Sequence, residues 1–595
     1  MASDRRKERA PGRSATDVTA PSSLPNAVGA EPEPGQAGPA RRLANRARNA
    51  SPAAQGLAAL AVYLAVWLVT ETLPLLLHPG TPQLDQPSTD PNFYVWSLRW
   101  WPYAMAHGLN PLHTTQIGAP AGYDLAWVTS IPPLALAVFP LTLLAGPVVP
   151  FNLLVIAAIP LSGWAAFILC RRLTGRFWAS LIGGAVYGFS AYEMNHIFSG
   201  QLNLAFALLL PLMAYLMVAW RDGAIGTRAC TALLALALVL QFYLFDETFV
   251  DLTAVLIVGL AVGYALADRP GRAQVARLSR IVGVAYVIAI VLALPDLKYA
   301  LANMPSGFTQ RPGSASLALG NLVIPWPGQT LGLSWLAHAA TPLAGPDQDG
   351  YVGIPLLIIA ITLPLVAWRQ RFVRFLTVMV TVLAVAALGT GLRIDGWSAV
   401  VKLPWGEIWN LPVVRSAYPV RLMVFVFLGL AVMTALWLSQ PTKRRWARWL
   451  LALLAAIVVG ANTPALALQS QPGLPAFVAT GEYRHYLSPD ETVVVLSKRG
   501  NVGLLWAAET DFYTRLAGGF VNKAINQFGG QPRPVAELAI GGLTPANVSN
   551  FRSYLKNAHV GAILVESSEA GPWPAIFGQL GLKGKTVGGV IIYRT

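Results

Sequence analysis

The chain has 595 residues, 54% of them hydrophobic and 12% charged, with a mean hydropathy of +0.51; such a chain is too apolar to be a soluble globular protein. A net charge of +15 does not point to nucleic acid, because the basic residues punctuate apolar segments instead of gathering on one stripe. The cysteines, Cys170 and Cys230, each lie beside an arginine-bearing loop; they read as small apolar fillers, with no disulfide framework and no CxxC metal motif.

Residues 1–55 are rich in Pro, Ala, Gly and Arg without apolar period, which predicts a disordered cytoplasmic tail. The tail is too long and polar for the n-region of a signal peptide. Residues 56–467 form the transmembrane domain. A hydrocarbon core of ~30 Å needs ~20 apolar residues per helix, and about eleven stretches qualify: 57–77, 149–170, 178–193, 204–220, 229–245, 249–267, 281–295, 351–368, 374–390, 419–438 and 449–467. Basic residues concentrate in the tail and in the loops around Arg171, Arg228, Arg272, Arg371 and Arg444. The alternating loops carry almost none, with only Arg99 in the long first one and none around His196 or Asp246. By the positive-inside rule the N-terminus is cytoplasmic and the C-terminus extracytoplasmic, in a multi-pass protein of the cytoplasmic membrane. Ile131–Leu144 is apolar, but counting it as a span would break this alternation; at about fourteen residues it fits an interfacial or re-entrant element.

The outer loop 78–148 holds the most informative stretch, Leu84 to Thr114. Asp85 and Asp90 follow the first span closely. Asp90-Pro91 is an N-cap followed by proline at the first helical position. The aromatic run Phe93, Tyr94, Trp96, Trp100, Trp101 and Tyr103 suits a helix lying in the headgroup layer. Asp90 then either caps that helix only or also serves chemistry at the bilayer surface.

This arrangement resembles the membrane glycosyltransferases of the GT-C fold, which use polyprenyl-phosphate sugar donors. In that superfamily an aspartate after the first span opens an interfacial helix and is succeeded by a Gly–Pro-containing turn, here Gly108-Leu109-Asn110-Pro111. Many members carry a second acid directly after the aspartate, where this chain has Pro91. Cys170 to Asn203, Leu240 to Thr248 and Leu411 to Leu422 are similar to further segments of actinobacterial-type members. The resemblance covers residues 57–440 and implies a polytopic all-α fold.

A transferase of this type needs a base for the acceptor hydroxyl and a cation for the leaving phosphate. Asp90, with Asp85 beside it, is the candidate base; Arg421 is the first candidate for the phosphate, followed by Arg415 and Lys298. Asp246 and Glu247, at an outer hairpin tip, are costly in lipid unless they face a cavity, and could orient an acceptor sugar or hold a divalent cation. The alternative for both is a solvated turn. His196 in the neighbouring outer loop could bind phosphate or an acid, or sit passively at the interface; His107 and His113 are similar cases. No histidine–carboxylate spacing supports zinc, and no other cofactor is implied. Tyr299, Trp326, Trp335 and Trp405 could stack on sugars or belong to the aromatic belt.

Residues 468–595 are more polar, with strand-like runs at 492–496, 560–565 and 587–593, and read as a small extracytoplasmic α/β domain. The expected function is transfer of a hexosyl or pentosyl group from a polyprenyl-phosphate donor, at the outer face of the membrane, to a glycan or glycolipid acceptor of the cell envelope. A flippase or transporter of a lipid-linked saccharide and a non-catalytic envelope-assembly scaffold are the alternatives. The flippase is disfavoured by the absence of paired repeats and broken helices in the sequence.

Overall fold

The computed structural model describes residues 51–80, 90–303, 315–325, 335, 349–394, 399–403, 405–408, 417–461, 473–519 and 532–595. The expected tail therefore lies almost wholly outside the described residues. Its boundary is corrected: the first helix starts at Pro52 inside the expected tail, because Ser51 caps it by accepting from the Ala54 amide at 3.2 Å and Pro52 needs no hydrogen-bond partner at the first helical position.

Each of the eleven apolar segments holds a helix. Seven are long and apolar enough to cross a membrane: Pro52–Leu77, Val148–Thr174, Leu202–Arg221, Thr227–Leu244, Asp246–Leu266, Arg269–Ala302 and Pro419–Ser439. Phe177–Gly188, Ile354–Ala367, Arg371–Ala387 and Arg445–Gly460 are shorter. In lipid no hydrophobic force drives helices together, so close backbone approach has to do it. At Gly188 an added Cβ would meet the Cα of Gly163 at 2.7 Å, so the helices Val148–Thr174 and Phe177–Gly188 pack at glycine distance. Tyr63 of the first helix joins them, its hydroxyl donating to the Leu181 carbonyl at 2.7 Å. Cys170 and Cys230 are both buried and free. Ile131–Leu144 breaks into two short helices, Pro132–Ala137 and Phe139–Ala145, neither long enough to span.

The C-terminal region forms a five-stranded sheet. Its strand order is Arg515–Leu516, Thr492–Leu496, Val560–Glu566, Val590–Arg594 and Gly584–Val587; the first three are parallel, Val590–Arg594 runs antiparallel to Val560–Glu566, and Gly584–Val587 runs antiparallel to Val590–Arg594. The expected strand 587–593 is corrected to a hairpin, because Gly588 and Gly589 both take positive φ, 51° and 86°, and fold the chain back in a two-residue turn. Period-two alternation sorts the side chains onto two faces. Val494, Leu496, Ile563 and Val565 pack under the helices Arg533–Ile540, Pro545–Asn557 and Trp573–Gln579. Val493, Ala562, Leu564 and Ile592 join a core shared with the transmembrane domain. The 116–119 segment of the first outer loop covers the sheet edge, with Leu516 N–H donating to the Gln116 carbonyl at 3.0 Å and Ala119 N–H to that of Leu516 at 2.9 Å.

The shared core is centred on the helix that begins at Asp90. Val502–Glu509 lies along Asp90–Ala106, and Phe512 inserts its ring edge-on against Trp96, Trp100 and Tyr103 at centroid distances of 5.8, 5.7 and 4.7 Å. Asp511 and Phe512 both take φ of 56°, a strained conformation for residues with a Cβ; the strain is held by this aromatic contact and by Arg99, whose guanidinium bonds Asp511 Oδ1 at 2.8 and 3.0 Å. Phe512→Ala is expected to cost about 3–5 kcal/mol and to free the C-terminal domain. Limited proteolysis between 473 and 519 checks this, and an unchanged cleavage pattern would count against the contact.

Glu509 makes the same junction sensitive to pH. Burial holds its carboxyl above the ordinary range, and the Arg99 charge and a bond to the Val148 amide only partly counter this. A carboxyl that holds its proton more tightly when folded contributes fully below its unfolded pKa and loses that contribution as pH rises through the folded value. The junction should therefore melt earlier as pH climbs from acid to neutral, and Glu509→Gln should flatten the trend. Parallel slopes in pH-stepped thermal melts of the two chains would contradict it.

Candidate active site

Asp90 starts the helix Asp90–Ala106, with Pro91 fixing the first turn. Against this turn lies the segment that follows Ala191–Phe198. Gly200 is what lets it approach: its φ is 67°, and a Cβ there would meet the Pro91 ring at 2.4 Å. The next residue, Gln201, donates from Nε2 to Asp90 Oδ2 at 2.7 Å. With its amide nitrogen committed to a carboxylate, Gln201 turns its oxygen to His196, whose Nδ1 stands at 2.7 Å and carries the proton. His196 Nε2 lies 3.3 Å from Asp349 Oδ2, an ion pair when the ring is protonated, and both side chains are buried. Asn195 bonds the other oxygen of Asp349 at 2.5 Å. Tyr94, one turn after Asp90, donates to Asn203 Oδ1 at 2.6 Å.

Beside this chain of polar groups sits a second cluster. Arg421 and Glu247 form an ion pair with side chains only 17% and 15% exposed, and the Tyr418 amide donates to the other Glu247 oxygen at 2.8 Å. The guanidinium lies between the rings of Tyr418 and Phe245, 4.5 and 4.9 Å from their centroids, where cation–π attraction holds it flat. Tyr94 reports that the two clusters adjoin. Its phenol is held well above the ordinary range, first by burial and then by the Asp90 carboxylate, while the Arg421 charge pulls the other way.

The structure thus brings together Asp90, His196, Glu247 and Arg421, and sets Asp246, exposed, next to Glu247. Asp85 and Arg415 lie outside the described residues, as does Trp326. Lys298 is exposed near the end of Arg269–Ala302 and is not joined to either cluster. Both Glu247 oxygens face donors, Arg421 and the Tyr418 amide. Among the described residues no three His, Cys, Asp or Glu side chains gather as metal ligands. Gln201, Asn195, Asn203 and Asp349 were not singled out in the sequence. The signal was a run of polar residues, 195–203, in an otherwise apolar region, but neutral amides announce no chemistry.

Further along the interface, His113 Nδ1 and the Tyr299 hydroxyl both bond Asp124 Oδ1, at 2.8 and 2.5 Å. Burial raises the Asp124 carboxyl, but these two bonds outweigh it and leave the group below its ordinary range. Trp127 Nε1 donates to the Ala300 carbonyl at 2.7 Å. Together they pin the 124–130 loop to the end of Arg269–Ala302.

No curated protein matches the chain. Its structure is similar to that of arabinofuranosyltransferase AftD from mycobacteria, with TM-score 0.51 and 15% identity over 92% of this chain, and 0.54 for another structure of that protein. The chain spans only 40% of that longer protein. ArnT from Cupriavidus metallidurans, solved with undecaprenyl phosphate, superposes with TM-score 0.51 and 12% identity over 90% of this chain and 97% of its own. At such identities the likeness is one of fold alone, and the fold this chain shares with them is GT-C-like. A family model described as a domain of unknown function, DUF6311, matches residues 58–460, more than half of the chain, which therefore belongs to the DUF6311 family.

Proposed function

We propose that the chain is a glycosyltransferase that moves a sugar from a polyprenyl-phosphate donor to a cell-envelope acceptor at the outer face of the membrane. The observation that carries this reading is the meeting of a hydrogen-bonded carboxylate, Asp90, with a half-enclosed guanidinium, Arg421, at the ends of the helices, where a lipid phosphate resides. A GT-C fold, seen also in a protein solved with undecaprenyl phosphate, agrees with it.

In the reaction an acceptor hydroxyl oxygen bonds the anomeric carbon of the donor while the bond from that carbon to the phosphate oxygen breaks. The phosphate leaves with the electron pair as polyprenyl phosphate, and the hydroxyl proton passes to Asp90. Gln201 fixes the carboxylate, and His196 with Asp349 fixes Gln201, so little reorganisation is needed during reaction. Arg421, whose guanidinium has five N–H donors, faces Glu247 in the resting state and meets the charge that develops on the leaving phosphate. Asp246 orients the acceptor.

The test is a reconstituted assay with radiolabelled polyprenyl-phosphate sugars. Label appearing in an acceptor glycan or glycolipid supports transfer. Label crossing the bilayer without transfer favours a flippase, and neither outcome leaves the chain as a scaffold.

A further inference from the structure

A pocket opens between the middle of the Asp90 helix, the 125–132 loop and the ends of Thr227–Leu244 and Arg269–Ala302; its lining includes Trp101, Ser130, Phe242, Phe245, Asp246 and Asp296. Its walls are braced. Trp101 Nε1 donates to Ser130 Oγ at 3.1 Å, the Tyr243 hydroxyl donates to Asp296, and the loop is tied to Arg269–Ala302 through Trp127. Two carboxylates and four large aromatic residues, Tyr243 among them, face the space, and no Lys, Arg or His belongs to the lining.

That composition selects by charge. Two carboxylates, with no cation among the lining residues, repel a phosphate or a second carboxylate across a short distance. They accept hydrogen bonds from hydroxyl or ammonium groups, and aromatic faces cover the C–H face of a ring. The pocket adjoins the proposed reaction centre: Phe245 lies under the Arg421 guanidinium, Asp246 precedes Glu247, and Trp101 is on the helix that begins at Asp90. An anion-attracting side and an anion-repelling side thus share one boundary, Phe245-Asp246-Glu247.

We propose that this pocket is the acceptor subsite, taking a neutral or amino sugar and rejecting uronates and phosphorylated sugars. The proposal rests on the transferase reading above and adds to it the charge class of the acceptor. Bound there, the sugar packs on Trp101 and hydrogen-bonds Asp246 and Asp296.

Saturation-transfer NMR on the full chain in lipid nanodiscs tests it, with methyl glucoside, glucosamine, glucuronate and glucose 6-phosphate as probes. The first two should give signals and compete with each other, and the anionic pair should bind roughly tenfold more weakly, about 1.4 kcal/mol. Replacing Asp246→Asn together with Asp296→Asn should bring the anionic probes level with the neutral one, and Thr129→Trp, which fills the pocket, should abolish the signals. Equal binding of the anionic probes to the native chain, silence from all four probes, or signals indifferent to these variants would overturn the proposal. Retention of radiolabelled polyprenyl phosphate by the same nanodiscs and the transfer assay keep the two readings apart. If sugar selectivity holds without transfer, the transferase reading and the acceptor role fall, and only a charge-selective sugar site stands. If transfer occurs and anionic sugars bind equally, the pocket falls alone.

Discussion

Asp90→Asn is expected to lower transfer by roughly 10²–10⁴-fold, the range for loss of a general base, while the protein still folds and retains donor lipid. Asparagine keeps the shape of the side chain and can present its oxygen to Gln201 Nε2, so the bond now made at 2.7 Å survives and His196 stays oriented. What disappears is the ability to take the acceptor proton. The measurement is turnover in the reconstituted assay beside donor retention in the same nanodiscs. Near-native turnover would reduce Asp90 to a helix cap, and loss of donor binding together with turnover would mean that the variant disturbed the whole site.

Arg421 should give the other large effect, and it needs a double variant to interpret. Arg421→Met alone leaves Glu247 charged, 15% exposed and facing only the Tyr418 amide; breaking a buried pair on one side costs about 3–5 kcal/mol. Adding Glu247→Gln removes the orphaned charge and should recover most of that stability. Activity should not recover, staying down roughly 10²–10³-fold, the scale for one lost transition-state donor. Arg421→Lys should fall short of rescue, because an ammonium lacks the planar fork that stacks between Tyr418 and Phe245 and grips two phosphate oxygens. Stability from melts and turnover from the assay, taken on all three variants, separate packing from chemistry. Recovery of turnover in the double variant would show that Arg421 serves only the fold.

The contrast between these two residues also marks how far the chain could be read in advance. Asp90 stands out as a candidate because everything that defines it is local: a span before it, a proline after it, and aromatic residues suited to an interface. Its partners do not. Gln201 is 111 positions away, and a neutral amide in a short outer turn carries no charge signal. Asp349 reaches Asn195 across 154 positions, and Glu247 meets Arg421 across 174. At Glu247 the local pattern is silent about its partner: the chain turns so that Glu247 faces a guanidinium while the neighbouring Asp246 lines a pocket.

In the C-terminal domain the strands Thr492–Leu496 and Val560–Glu566 were legible from β-branched runs. The docking of the domain was not, since Phe512 and Asp511 look like any loop residues until their positive φ and the Asp90 helix are seen together. The sequence by itself determined that the chain lives in a membrane, roughly where its apolar helices lie, and which acid opens the helix after the first span, because hydrophobic period, caps and charge sidedness are written within about 20 residues of one another. Only the tertiary structure decided which polar groups meet. Pairing across more than a hundred residues depends on how glycine-lined helices approach and where loops such as Ser199-Gly200-Gln201 can touch Pro91, and that geometry has no counterpart in spacing along the chain.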